Sequence, residues 1–202
     1  MSPDLPGLLR WGPLALLVLY AAAFVACTLH VAKDSRGPVY VLDTDATQRV
    51  SQAAFRLSFA VLLGVFTLRA GWPHLGQFTG PLQWAHASKI QLLGLLVMLE
   101  GAVVAALAQF MMGREWRIGV PDREPSQLVE RGLFRFSRNP VFLGMTSMFL
   151  GAVLIAPNAL TLTSFSLAIF AMSIQIRLEE THLSSKLGSA YDAYRVRVRR
   201  WI

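Results

Sequence analysis

The stretch Val141-Phe-Leu-Gly-Met-Thr-Ser-Met-Phe-Leu-Gly-Ala-Val-Leu-Ile155, then Ala156-Pro157-Asn158, then Ala159-Leu-Thr-Leu-Thr-Ser-Phe-Ser-Leu-Ala-Ile-Phe-Ala-Met-Ser-Ile-Gln-Ile176 decides the fold class. No charged side chain occurs between Val141 and Ile176. A helix of roughly 20 mostly apolar residues crosses about 30 Å of hydrocarbon. Two such runs joined by a three-residue turn fold as an antiparallel helical hairpin. The rest of the chain repeats the theme. Apolar runs cover Leu14–Ala32 (opened by Pro13 and closed by Lys33-Asp34), about Ala53–Leu68, and Ile90–Met112. The first run is too long for a secretory signal core, and Thr28-Leu29-His30 is a poor cleavage site, so it reads as a retained anchor.

Composition agrees. The chain has 202 residues, 54% apolar and only 15% charged, with mean hydropathy +0.47. Soluble domains run nearer 45–50% apolar and about 25% charged. The expected fold is all-α: a polytopic helical membrane protein of about five transmembrane helices, ending in the hairpin and in cytoplasmic C-terminal helices. It reads as one membrane-embedded domain over 1–202, with three spans in 1–112 and a cofactor-binding core in 113–202. The lone Cys27 excludes a disulfide framework and a Cys-based zinc site, and His30, His74, His86 and His182 lack metal-ligand spacing.

The net charge of +7 is a topology signal before it is a nucleic-acid signal. With the N-terminus outside, the outer segments hold only Arg10, Arg69 and Lys89. The other sixteen of the nineteen basic residues fall inside: Lys33, Arg36, Arg49 and Arg56; Arg114, Arg117, Arg123, Arg131, Arg135 and Arg138; Arg177, Lys186, Arg195, Arg197, Arg199 and Arg200. The expected topology is therefore N-terminus out, with the C-terminus and site cytoplasmic. No basic–aromatic module suggests nucleic acid.

Polar chemistry is confined to 113–139 and 177–202, which this topology puts on one face. Pro140 suits the first turn of a helix, and Asn139 before it can cap that helix, leaving a positive end for a carboxylate or phosphate. Gly144 allows close approach of a neighbour. In the tail, Glu179-Glu180 emerge where the apolar run stops, Leu183 and Leu187 form a stripe, Gly188 breaks the helix, and Tyr191 and Tyr194 share a face. The closing Arg195-Val-Arg-Val-Arg-Arg200 reads as a contact to anionic lipid. Glu100, amid the third run, is an intramembrane charge: either a functional group or a bridge to Arg56 or Gln175.

Gly132-Leu-Phe134-Arg-Phe-Ser-Arg138-Asn139-Pro140-Val-Phe142-Leu-Gly144, the hairpin, and then Glu179-Glu180-Thr-His-Leu183-Ser-Ser-Lys-Leu187-Gly188-Ser-Ala-Tyr191-Asp-Ala-Tyr194 together resemble the isoprenylcysteine carboxyl methyltransferase and phospholipid methyltransferase superfamily. Its members carry Gly-x-Tyr-x-x-x-Arg-His-Pro-x-Tyr-x-Gly, a hairpin, and Glu-Glu-x-x-Leu-x-x-x-Phe-Gly-x-x-Tyr-x-x-Tyr. Asn139 stands where many members have histidine, and Phe134 and Phe142 stand for tyrosines. Asn cannot titrate near neutrality, so a general-base role at 139 is lost while hydrogen bonding is kept.

The resemblance implies methyl transfer from S-adenosyl-L-methionine to a hydrophobic or amphipathic acceptor entering from the bilayer, with membrane lipids as partners and no metal. It implies cofactor contacts from Leu128, Val129, Phe134, Arg138, Asn139, Pro140, Phe142, Glu179, Glu180 and Tyr191. Arg177 and Glu179 would be catalytic, and Gln175 and Glu100 would meet substrate. Prenylcysteine enzymes place an arginine one turn before the glutamate; here that residue is Gln175. Alternatives are a phospholipid or amine N-methyltransferase, a non-catalytic lipid-binding protein on the same scaffold, and a sterol-modifying type of reductase. The last lacks a GxGxxG fingerprint here.

Overall fold

A computed structural model describes residues 5–34, 39, 45–82, 88–119 and 128–202. Arg36, His86 and Arg123, used above to read topology and metal spacing, lie outside these. Among the described residues the regular structure is helical: α1 (Leu5–Asp34), α2 (Ala46–Gly71), α3 (Ser88–Met112), α4 (Pro140–Ile155), α5 (Ala159–Leu187) and α6 (Ser189–Arg197), with short 3-10 turns at Pro73–Thr79, Gly113–Glu115 and Gly132–Arg135. The protein is a polytopic all-α membrane protein. The helices α1, α2, α3 and α5 are each long and apolar enough to cross a bilayer. At 16 residues, α4 is about 24 Å long, shorter than the hydrocarbon core.

One expectation changes. Pro13 does not open α1 but lies inside it, since α1 already begins at Leu5. Proline removes one helical hydrogen bond, which a membrane helix tolerates where neighbours compensate. As the Leu183–Leu187 stripe and Gly188 lead one to expect, α5 carries on past its apolar run as helix to Leu187, presenting Glu179 and Glu180 as continuations of the span. Its N-terminus is fixed by a reciprocal cap, in which the Asn158 side chain accepts from the Thr161 amide at 3.0 Å and the Thr161 hydroxyl accepts from the Asn158 amide at 3.3 Å.

Bare backbone holds α3 and α4 together. A Cβ added at Gly94 would lie 2.8 Å from the Gly151 carbonyl oxygen, and one at Gly151 would lie 2.5 Å from the Gly94 carbonyl oxygen. Gly101 and Gly144 oppose each other in the same way. Two glycines seven residues apart on each helix thus make an antiparallel seam in which only hydrogen fits, the small-residue packing that drives helix association where lipid removes any hydrophobic force. The α2–α5 pair uses hydroxyls instead. The Ser51 hydroxyl donates to the Ala171 carbonyl at 2.8 Å, and the Ser164 hydroxyl to the Ser58 carbonyl at 2.6 Å. On α1, Thr28 accepts from the Gln109 amide at 3.2 Å and from the Trp116 indole N–H at 3.0 Å. Leu19, Val25, Leu29, Leu96, Phe110 and Phe170 point outward, a surface suited to hydrocarbon rather than water.

The two ends of the bundle differ. At one, the segment after the first 3-10 turn pairs with the hairpin turn through Leu82 N–H to the Pro157 carbonyl (2.9 Å) and Ala159 N–H to the Gly80 carbonyl (3.1 Å). At the other, the chain after α6 folds back beneath α4: the Arg138 amide donates to the Arg199 carbonyl at 3.0 Å.

Candidate functional site

A cavity of about 290 Å³ opens at that second end, at the small end of the range of ligand sites. Its walls come from α2 (Ser51, Gln52, Phe55, Arg56), the 115–119 segment, the 128–142 segment, α5 and the α6 tyrosines. Of the residues singled out from sequence, Leu128, Val129, Phe134, Arg138, Asn139, Pro140, Phe142, Gln175, Glu179, Glu180 and Tyr191 all line it. The two polar segments on either side of the hairpin therefore meet around one space.

The reason lies in helix periodicity. On α5, Ala171, Met172, Gln175, Glu179, His182 and Leu183 recur at three- and four-residue spacing and share the cavity face. Arg177 stands two residues from Glu179, about 200° around the helix; it is exposed and contributes nothing to the lining. Arg177, expected to be catalytic, is therefore not among the residues that the cavity brings together. Glu100, expected to meet substrate, is not among them either. On α3 the seam face holds Gly94, Met98, Gly101 and Ala105, whereas Glu100 shares the exposed stripe of Leu93, Leu96, Val103 and Leu107. It is remote from the lining and bridges to neither Arg56 nor Gln175.

The carboxylates divide their roles. Glu180 is saturated by cations. Arg200 grips it with Nε to Oε1 at 3.1 Å and Nη2 to Oε2 at 2.6 Å, and the Arg138 Nη2 lies 3.3 Å from Oε1. Glu179 has a neutral hydrogen-bond partner, the Gln175 Nε2 donating to its Oε1 at 3.1 Å, while Arg117 of the same lining acts on it at longer range. Arg138 has only 10% of its side chain exposed, yet its Nε and Nη1 are buried without a hydrogen-bond partner, as is the Gln175 Oε1. Buried donors on a charged group are costly to leave unmade, so two unpartnered nitrogens of a cavity-lining guanidinium point to an anionic acceptor group.

Asn139 departs from expectation. It occupies the cap position of α4 but makes no side-chain cap bond. Its Nδ2 instead donates to the Arg200 carbonyl at 3.3 Å, and the Ser137 hydroxyl donates to the same oxygen at 3.2 Å. The first amides of α4 stay without a side-chain cap where the helix borders the cavity, keeping its positive end available.

The floor is the α6 pair. Tyr191 and Tyr194 pack with ring centroids 6.1 Å apart, and the Tyr194 hydroxyl donates to the Phe134 carbonyl at 2.7 Å. Burial, and then the neighbouring Glu180, pushes the Tyr191 hydroxyl up to about 12; burial raises that of Tyr194 as well. Both stay protonated across the physiological range.

Sequence reasoning missed part of the wall: Phe24, Phe55, Glu115, Trp116, Arg117, His182 and Tyr194, and Arg200, which closes the Glu180 network. Tyr194 had a signal, its i, i+3 pairing with Tyr191. Phe24 and Phe55 had none, since an aromatic within an apolar span reads the same whether it faces a cavity, a helix or lipid.

A model of the phospholipid methyltransferase family matches residues 90–190, from the first turn of α3 into α6 and so across the glycine seam and both polar segments. No curated protein and no solved structure matches the chain.

Proposed function

Since the chain belongs to the phospholipid methyltransferase family, a family of membrane methyltransferases, we propose that it transfers a methyl group from S-adenosylmethionine to a lipid-like acceptor in the 290 Å³ cavity. The observation that carries this reading is Arg138: a nearly buried guanidinium with two unpartnered nitrogens, set beside the uncapped start of α4 and sharing the cavity lining with Glu179. That is a receptor for a zwitterion with carboxylate and ammonium on one short arm. Arg138 and the first amides of α4 would hold the carboxylate, Glu179 the ammonium or a ribose hydroxyl, and Phe134, Phe142 and Tyr191 would flank the adenine and the sulfonium. When bound, the donor supplies an electrophilic methyl carbon on a good leaving group.

What the protein adds is placement and dryness. Phe24, Phe55, Met145 and Met172 give the cavity an apolar side toward the spans, fitting the chain of an amphipathic acceptor while its reacting group rests near Glu179. Within this class, carboxyl methylation of a prenylcysteine loses support from Gln175, a neutral amide where the prenylcysteine enzymes place an arginine, and from Arg177, which lies about 200° from Glu179 on α5. By the basic-residue count, the cavity end is cytoplasmic.

The test is calorimetric titration of detergent-solubilised protein with S-adenosylmethionine. Glu179→Gln and Arg138→Met should each weaken binding at least about tenfold, or about 1.4 kcal/mol, while Arg177→Gln should not. Unchanged affinity in the first two variants refutes the assignment.

A further inference from the structure

A second, larger cavity of about 600 Å³ lies at the opposite end of the bundle, between the start of α1, the end of α2 and the hairpin turn. Two arginines from different helices line it, Arg10 and Arg69. The Arg10 Nε donates to the Ala70 carbonyl at 2.8 Å, which anchors the guanidinium beside the last turn of α2, 5.5 Å over the Trp11 ring, and no hydrogen bond among the described residues engages its two terminal nitrogens. The Arg69 Nε is buried with no hydrogen-bond partner. Ser88 and Gln91, from the first turn of α3, border the same space, where amide N–H groups lack helical partners.

The charge of this end is one-sided. Between Arg69 and Ile90, and between Ala156 and Leu160, the sequence has no acidic residue at all; ahead of Arg10 there is only Asp4. An arginine at a membrane interface ordinarily reaches for headgroups. Here two of them instead line one concave site, one held by a backbone carbonyl and the other with an unmatched buried donor. No protein carboxylate among the described residues neutralises either.

We propose that this cavity binds an anionic phosphoryl group, with Arg10 and Arg69 as its fork of donors, at the face of the membrane opposite the methyl-transfer cavity. A phosphodiester lipid headgroup and free inorganic phosphate share this chemistry. The site is separate from the donor cavity and stands whether or not the acceptor reading above is right.

Native mass spectrometry of the full chain in detergent tests it, with dioleoylphosphatidylglycerol, dioleoylphosphatidylcholine and inorganic phosphate as the probes. The wild type should retain the anionic lipid in preference to the zwitterionic one, and Arg10→Gln and Arg69→Gln should each reduce that retention by roughly fivefold. Arg69→Lys should recover only part of the loss, because a point charge cannot replace the planar fork. A melting temperature and a size-exclusion profile in detergent that match the wild type show that these variants are folded. If Arg69→Gln fails to fold, the exposed Arg10→Gln still gives the answer. Displacement of the lipid by inorganic phosphate makes the soluble anion the ligand, and no displacement makes it the headgroup. Equal retention of both lipids, or charge-selective retention untouched by both variants, overturns the proposal.

Discussion

Replacing Gly101 by alanine adds one methyl group at the centre of the α3–α4 seam. The new Cβ would lie 2.6 Å from the Met148 backbone nitrogen and 2.8 Å from the Ser147 Cβ, and closer still to the Gly144 carbonyl oxygen. Two of those three atoms are main chain of a helix, so no rotamer change relieves the contact and the helices must part. Parting costs dispersion along the whole seam, because Gly94 and Gly151 are locked in the same way one heptad away. Overpacking of a tight core costs about 1–3 kcal/mol, and a backbone obstacle argues for the upper half of that range. The internal control is Gly64→Ala on α2, where an added Cβ meets nothing within 4 Å and helix propensity favours alanine by up to about 1 kcal/mol. The two identical chemical changes should therefore have opposite signs. At about 2–4 °C per kcal/mol for a chain of this size, Gly101→Ala should melt roughly 4–12 °C below the wild type in detergent, and Gly64→Ala at or slightly above it. Because the start of α4 brings Asn139 and Pro140 into the lining of the 290 Å³ cavity, the proposed function predicts that the first variant also binds S-adenosylmethionine more weakly. Matching melting temperatures for the two variants would refute the claim that the seam admits only hydrogen.

Alkaline titration probes the floor of the cavity. An unfolded tyrosine ionises near pH 10, whereas burial beside Glu180 holds Tyr191 to about 12, so folding favours the protonated form. The associated stability is complete below about pH 10 and drains away as pH rises toward 12. The melting temperature of Tyr191→Phe should decline less steeply than that of the wild type over this window; parallel declines would contradict the assignment. For Glu100, exposed among apolar neighbours on α3, substitution by leucine should stabilise the protein in vesicles by up to about 3 kcal/mol and leave donor affinity untouched. A loss of affinity in Glu100→Leu would return that residue to the site.

The fold was legible because each long span is written by an almost uncharged run, and lipid allows that run little besides a helix. The hairpin turn Ala156-Pro157-Asn158 fixed the direction of α5 for the same reason. Boundaries were less legible. Hydropathy ends with Ile176, but helix persists to Leu187, because the backbone hydrogen bonds of a helix need not stop where the lipid does, and Gly188 is the first residue to break them. Nor did the run Ile90–Met112 announce which of its faces would be the seam. Glycines 94 and 101 gain meaning only opposite 151 and 144, and that pairing is tertiary.

The site shows where reading by motif ends. Arg138, Asn139, Glu179 and Glu180 were identified as a group, but nothing in the motif distinguished their duties. Glu179 and Glu180 are adjacent in sequence, and on a helix adjacency means about 100° of separation; that angle directs Glu180 into the grip of Arg138 and Arg200 and leaves Glu179 facing Gln175. The terminal basic run illustrates the same limit. Its arginines alternate with valine, and as a composition they fit a lipid surface. Yet Arg200 joins Glu180, Arg197 joins Glu130, and the Arg200 carbonyl receives both Ser137 and Asn139. Which arginine meets which carboxylate is set by the nine residues of α6 and the extended return after it, a register that composition does not encode. The consequence for the site is physical. By neutralising Glu180 and engaging the side chain of Asn139, the tail leaves a guanidinium with unpartnered nitrogens in the same cavity lining as Glu179, the combination a zwitterionic methyl donor can satisfy.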